Sequence, residues 1–77
     1  MSRMVAISHT LLAKIFIADG WVYKRTKGDH DVYTKDGFIR PVVIPRYEEV
    51  GVDIITANMR TAKMSRERYF ELLRSCK

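Results

Sequence analysis

Apolar positions change their period along the 77-residue chain. From Ile7 to Ala18 they recur at helical spacing: advancing about 100° per residue from Ile7 gathers Leu11, Leu12, Ile15, Phe16 and Ala18 on one broad side. This predicts a helix over residues 8–19, with Ser8 as its N-cap and Gly20 as its stop. Ile17 falls on the opposite side and reads as a single exposed hydrophobe or as a partner contact.

From Trp21 to Ile44, β-branched and aromatic residues come in short runs broken by Lys27-Gly28-Asp29 and Lys35-Asp36-Gly37. Strands are predicted at 21–26, 30–34 and 38–44, with Asp36-Gly37 supplying the positive φ of a tight hairpin and Pro45 ending the third strand. After the loop 46–51, Val50, Val52 and Ile54 alternate as in a strand, but Ile55, Met59 and Ala62 fit helical spacing better. A second helix is predicted over 53–62, with Asp53 as its cap or as a negative charge in its first turn. Ser65 then caps a third helix through Leu73, whose apolar side is Tyr69, Leu72 and Leu73. The resulting class is α+β in the order α-β-β-β-α(-α), a three-stranded antiparallel sheet with helices on one face. That layout is the one found in a double-stranded-RNA-binding domain. Residues 1–77 read as a single domain without repeats or linkers.

Hydrophobic residues make up 47% of the chain and charged residues 30%, which excludes a disordered tail or a fibrous protein. Fourteen Lys and Arg against nine Asp and Glu leave a net charge of +5, favouring an anionic partner, nucleic acid or an acidic protein ahead of a membrane. Cys76 is the only cysteine, so no intrachain disulfide and no thiolate metal site is expected. Ser8, His9 and Lys14 interrupt the early apolar runs, and none approaches the ~18 residues of a membrane span. A cytoplasmic protein is expected.

Two histidines lead the candidates for proton transfer. His9 sits at the start of the first helix, where a solvated histidine is commonplace. His30 follows Gly28 at the mouth of the second strand, among Lys24, Arg25, Lys27 and Arg46. It reads either as a solvent-facing strand residue or as an imidazole beside cations that hold a phosphate. Asp29-His30-Asp31 offers metal donors, but if Asp29 is already extended, alternation turns His30 away from both carboxylates, and no second donor cluster completes a site. No metal or cofactor is therefore expected. The glycines at 20, 28, 37 and 51 are dispersed turn formers rather than a phosphate loop, and no nucleophile elbow surrounds the serines or Cys76. Further cations, Arg60, Lys63, Arg66, Arg68, Arg74 and Lys77, gather towards the C-terminal helices. Tyr23, Tyr33, Phe38 and Tyr47 interleave with the basic residues as RNA-stacking groups would, although most of them, and Trp21 above all, read as core.

Gly20-Trp21, the run from Arg25 to His30, Val42-Val43-Ile44-Pro45-Arg46 and the closing Met64–Leu73 together resemble the HicA family of toxins over about residues 8–73. The resemblance implies an RNA-cleaving toxin, an mRNA interferase, with a fold related to the double-stranded-RNA-binding domain and a HicB-like antitoxin as partner. It assigns the catalytic histidine to His30 and the motif glycine to Gly28. Asp29 stands where the commonest family motif has Ser, and a carboxylate there is expected to act on the imidazole or on an approaching phosphate. The family's frequent Gly-Thr at the start of the second helix is missing around Val52-Asp53.

The chemistry implied is attack of a ribose 2′-hydroxyl on the adjacent phosphate, with His30 transferring a proton and Lys24, Arg25, Lys27 and Arg46 stabilising phosphoryl charge. Two other classes compete: a non-catalytic RNA-binding module of the same fold, and a basic protein-interaction domain. The first would keep RNA affinity in His30→Ala and cleave nothing. The second would show no salt-dependent RNA binding.

Overall fold

In this computed structural model, which describes residues 3–77, the order is α1 (His9–Ala18), β1 (Val22–Lys27), β2 (His30–Thr34), β3 (Val42–Pro45), α2 (Val52–Ala62) and α3 (Arg66–Cys76). The α+β class, the element order and the three-stranded antiparallel sheet are those the periodicities predict.

α1 starts where Ser8 Oγ accepts the Leu11 N–H at 3.2 Å and stops where Gly20, at φ +98°, turns the chain away. Its buried stripe is Leu12, Ile15 and Phe16, while Leu11 is half-buried and Ala18 exposed, so it is narrower than predicted. Ile17 is 52% exposed. Ser65 Oγ caps α3 by accepting the Arg68 N–H at 3.0 Å. Tyr69 and Leu72 are buried on α3, and the helix runs on to Cys76, beyond the predicted Leu73.

β2 lies between β1 and β3. The register sets Tyr33 opposite Val42 and Asp31 opposite Ile44, so these four side chains share the face turned toward the helices. Tyr33, Val42 and Ile44 join Leu12, Ile15, Phe16, Trp21, Ile55, Tyr69 and Leu72 in one core. Each large side chain buried there contributes about 1.5–3 kcal/mol. Asp19, at the end of α1, ties the layers together: its carboxylate meets Arg68 Nε at 3.1 Å and Lys35 Nζ at 3.9 Å.

β3 is an edge strand, and α2 closes part of its open side. The buried Asn58 accepts the Val43 N–H at 3.3 Å and donates to the Val43 carbonyl at 2.9 Å. A side-chain amide thus replaces a missing fourth strand at that residue.

Three further features differ from prediction. The third strand begins at Val42, not at residue 38, because Pro41 has no N–H to enter the ladder and Phe38 folds onto Trp21, with ring centroids 5.0 Å apart. Asp36-Gly37 is consequently no tight hairpin. Gly37 does take φ +86°, but within a turn closed by the Phe38 N–H on the Lys35 carbonyl at 3.1 Å, at the start of a longer loop. The tight hairpin is the one between β1 and β2, where Gly28 has φ +62° and Lys27 pairs directly with His30. Finally, Gly51 is the N-cap of α2, and Asp53 stands inside its first turn, where its charge favours the helix dipole. Val50, once a strand candidate, makes a single antiparallel bridge with Ile7.

Candidate functional site

The β1–β2 hairpin builds the site. Lys27 faces His30 across the ladder and Arg25 faces Val32, two residues on, so Arg25, Lys27 and His30 project from the face of the sheet opposite the core. A bulge between Tyr23 and Arg25 takes Lys24 out of register, and such a bulge bends the strand and re-aims its side chains. Lys24, Arg25 and Lys27 are exposed and make no ion pair among the described residues. At Gly28 the positive φ accounts for the glycine, and the space beside it is open, since an added Cβ would meet nothing within 4 Å.

His30 keeps 46% of its side chain exposed, and its Nδ1 lies 2.9 Å from Asp29 Oδ1. The expectation that His30 faces away from both aspartates fails for Asp29. Asp29 belongs to the turn rather than to the strand, so strand alternation does not apply to it. It holds for Asp31, whose side chain is on the core face.

There Asp31 anchors a polar network. The Thr26 hydroxyl donates to Asp31 Oδ1 at 2.6 Å, and Arg46 Nε donates to both carboxylate oxygens at 3.1 and 3.2 Å. Arg46 Nη2 reaches Asp31 Oδ1 at 3.1 Å and Thr26 Oγ1 at 3.3 Å, while the Tyr23 hydroxyl contacts Thr26 Oγ1 at 2.6 Å. With its single hydrogen given to Asp31, Thr26 accepts from Tyr23 and Arg46 and is fully used. The Thr26 hydrogen bond holds the Asp31 carboxyl below its usual range; the hydrogen bond and charge of Arg46 add to this against the opposing effect of burial. Asp31 in turn pushes Arg46 further up. Burial raises the neighbouring Tyr33 phenol, assisted by the Asp31 charge.

The structure therefore brings Arg25, Lys27, Gly28 and His30 together, with Lys24 at the bulge beside them. Arg46 is different. Its backbone N–H donates to the Asp29 carbonyl at 2.8 Å and pins the turn, but its half-exposed guanidinium sits with Asp31 on the other face. His9 is half-buried at the head of α1, where its charge reaches Asp31. Of the aromatics, Trp21 and Tyr33 are buried and Phe38 half-buried, while Tyr23 and Tyr47 stay exposed. Sequence reasoning missed Asp31 as the partner of Arg46. Only the sheet register brings residues 26, 31 and 46 together, and no spacing along the chain signals it.

No group of three or more His, Cys, Asp and Glu side chains among the described residues is arranged to hold a metal, and Asp29 with His30 supplies only two donors. A cleft of about 610 Å³ between the β2–β3 loop and α2 is lined by Ile39, Arg40, Arg60 and Lys63, among others, and not by His30. No helix among the described residues is long and apolar enough to cross a membrane.

Fold and site together define a small α+β protein with an exposed imidazole on a cationic sheet face. A family model described as the HicA toxin of bacterial toxin-antitoxin systems matches residues 12–64, more than half of the chain, and the chain belongs to that family. It is the toxin component of such a pair, which implies an antitoxin partner. The matched span runs from α1 through the sheet and α2, and the closing segment Met64–Leu73 lies almost entirely beyond it. No curated protein and no solved structure matches the chain.

Proposed function

We propose that this toxin is a cytoplasmic endoribonuclease that cuts mRNA without a metal ion, using His30 for proton transfer, and that a HicB-like antitoxin silences it. The observation that carries this reading is the β1–β2 register: in a chain of the HicA toxin family, it puts the exposed His30 on one sheet face with Lys27 and Arg25. Cations that no carboxylate neutralises are suited to a phosphodiester, and an imidazole among them is suited to the proton of the neighbouring 2′-hydroxyl.

In this mechanism the 2′-hydroxyl gives its proton to His30 and its oxygen bonds to the adjacent phosphorus. The bond from phosphorus to the 5′-oxygen breaks, leaving a 2′,3′-cyclic phosphate, and the departing oxygen takes a proton from solvent. Lys27 and Arg25 stabilise the charge gathering on the phosphoryl oxygens, Lys24 holds the flanking backbone, and the bare turn at Gly28 allows the strand close approach. Arg46, its guanidinium paired with Asp31 on the other face, contributes through the backbone bond that fixes the turn.

Purified toxin incubated with single-stranded RNA in excess EDTA tests the chemistry. Cleavage is expected to persist, to yield cyclic phosphate ends, and to fail where the nucleotide 5′ of the cut is 2′-deoxy. Loss of cleavage on chelation, restored by magnesium or manganese, would refute the metal-free route, and cutting of the 2′-deoxy site would refute the 2′-hydroxyl as nucleophile.

A further inference from the structure

Resting on the reading of His30 as the proton-transfer group, we propose that Asp29 is a positioning residue: its carboxylate accepts the His30 Nδ1–H and so leaves Nε2 as a bare base toward the RNA. The two side chains meet at 2.9 Å, Nδ1 to Oδ1. A carboxylate only accepts, so the nitrogen it contacts must carry the proton, and in the neutral ring the other nitrogen is then the acceptor.

The structure gives the Asp29 side chain no other task. It is 65% exposed, caps no helix and has no other side-chain partner among the described residues. Its backbone, in contrast, is fixed. Gly28 at φ +62° sets the turn before it, and its carbonyl accepts the Arg46 N–H at 2.8 Å from the end of β3. The carboxylate is thus presented to the imidazole from a held turn rather than from a loose loop, which lowers the entropy cost of keeping the pair together. During reaction the proton moves from the 2′-oxygen to Nε2 as the oxygen–phosphorus bond forms. Asp29 keeps the Nδ1 proton in place, stabilises the imidazolium and does not itself become protonated, the role a buried carboxylate plays in serine hydrolase triads.

Nitrogen-15 NMR of the uncleaved, RNA-free toxin reads the tautomer of neutral His30 directly. The wild type is expected to carry its proton mainly on Nδ1, and Asp29→Asn or Asp29→Ser to revert to the Nε2–H form that a free histidine side chain favours. Both variants should melt with the wild type, since the side chain is largely exposed. On RNA, kcat should fall about 10- to 100-fold, part of the ~10²–10⁴ that positioned proton transfer supplies, while KM stays level or drops with a negative charge gone from beside the phosphate. Asp29→Glu should recover part of kcat. Wild-type His30 found mainly as Nε2–H, or Asp29→Asn cleaving with undiminished kcat, would overturn the proposal. Either result leaves the nuclease reading standing if His30→Ala is inactive, whereas an active His30→Ala would overturn that reading and this proposal together.

Discussion

At the residue scale, Asp31 shows how one carboxylate links stability to pH. Its carboxyl is held below its ordinary value of 3.8, first by the Thr26 hydroxyl and then by Arg46. A depressed folded-state value means that ionised Asp31 stabilises the fold above the unfolded value, and that this contribution is lost as pH falls through the lower folded one. Thermal melts of the wild type should therefore drop in midpoint below about pH 4, and Asp31→Asn should drop less over the same range while starting lower at pH 7. Parallel midpoint curves for the two proteins would show that the Thr26–Asp31–Arg46 network does not set the acid limit. The same network explains why Arg46 resists reading from sequence. Counted along the chain it is one more cation near the hairpin, and only the pairing of β1 with β2 and β2 with β3 shows that its charge is already met by Asp31.

At the scale of elements, the Asn58 bridge makes α2 part of the sheet. Asn58→Ala would strand the Val43 N–H and carbonyl against the helix, at a cost of about 1–3 kcal/mol. Urea unfolding should register that loss, and a midpoint unchanged from the wild type would mean that water serves Val43 equally well. Asn58 lies within a well-marked helical pattern, yet nothing in the sequence distinguishes it from a solvated amide. α1 and α3 were legible because their starts carry a local signal, Ser8 and Ser65 each accepting the N–H three residues on, whereas Gly51 at the start of α2 offers no side-chain cap. β2 was legible for a similar reason, since its bounds follow from the glycine turn that precedes it. The third strand was less so. Phe38 and Ile39 have strand chemistry, but Pro41 withholds a donor, and the contact of Phe38 with Trp21 is tertiary. The site was legible as a histidine among cations, while its division into two faces, with Arg25, Lys27 and His30 on one and Arg46 with Asp31 on the other, required the register.

At the scale of the whole molecule, a net charge of +5 on 77 residues creates a field that steers any polyanion, RNA or an acidic antitoxin alike. If both use the face around His30, Lys24→Glu with Lys27→Glu should weaken RNA binding and slow antitoxin association together. Each lost phosphate contact should also lower the slope of log affinity against log salt by about 0.7 for single-stranded RNA. RNA binding that weakens while antitoxin association keeps its rate would separate the two surfaces. The claim on which the functional account turns is that His30 is the proton-transfer group of a ribonuclease, and the most direct measurement is the rate of RNA cleavage by purified His30→Ala beside its melting temperature. The side chain is about half exposed, so the variant should melt within about 4 °C of the wild type, as a change below ~0.5 kcal/mol allows in a domain of this size. Cleavage should vanish. A folded His30→Ala protein that cuts RNA at the wild-type rate would contradict the account.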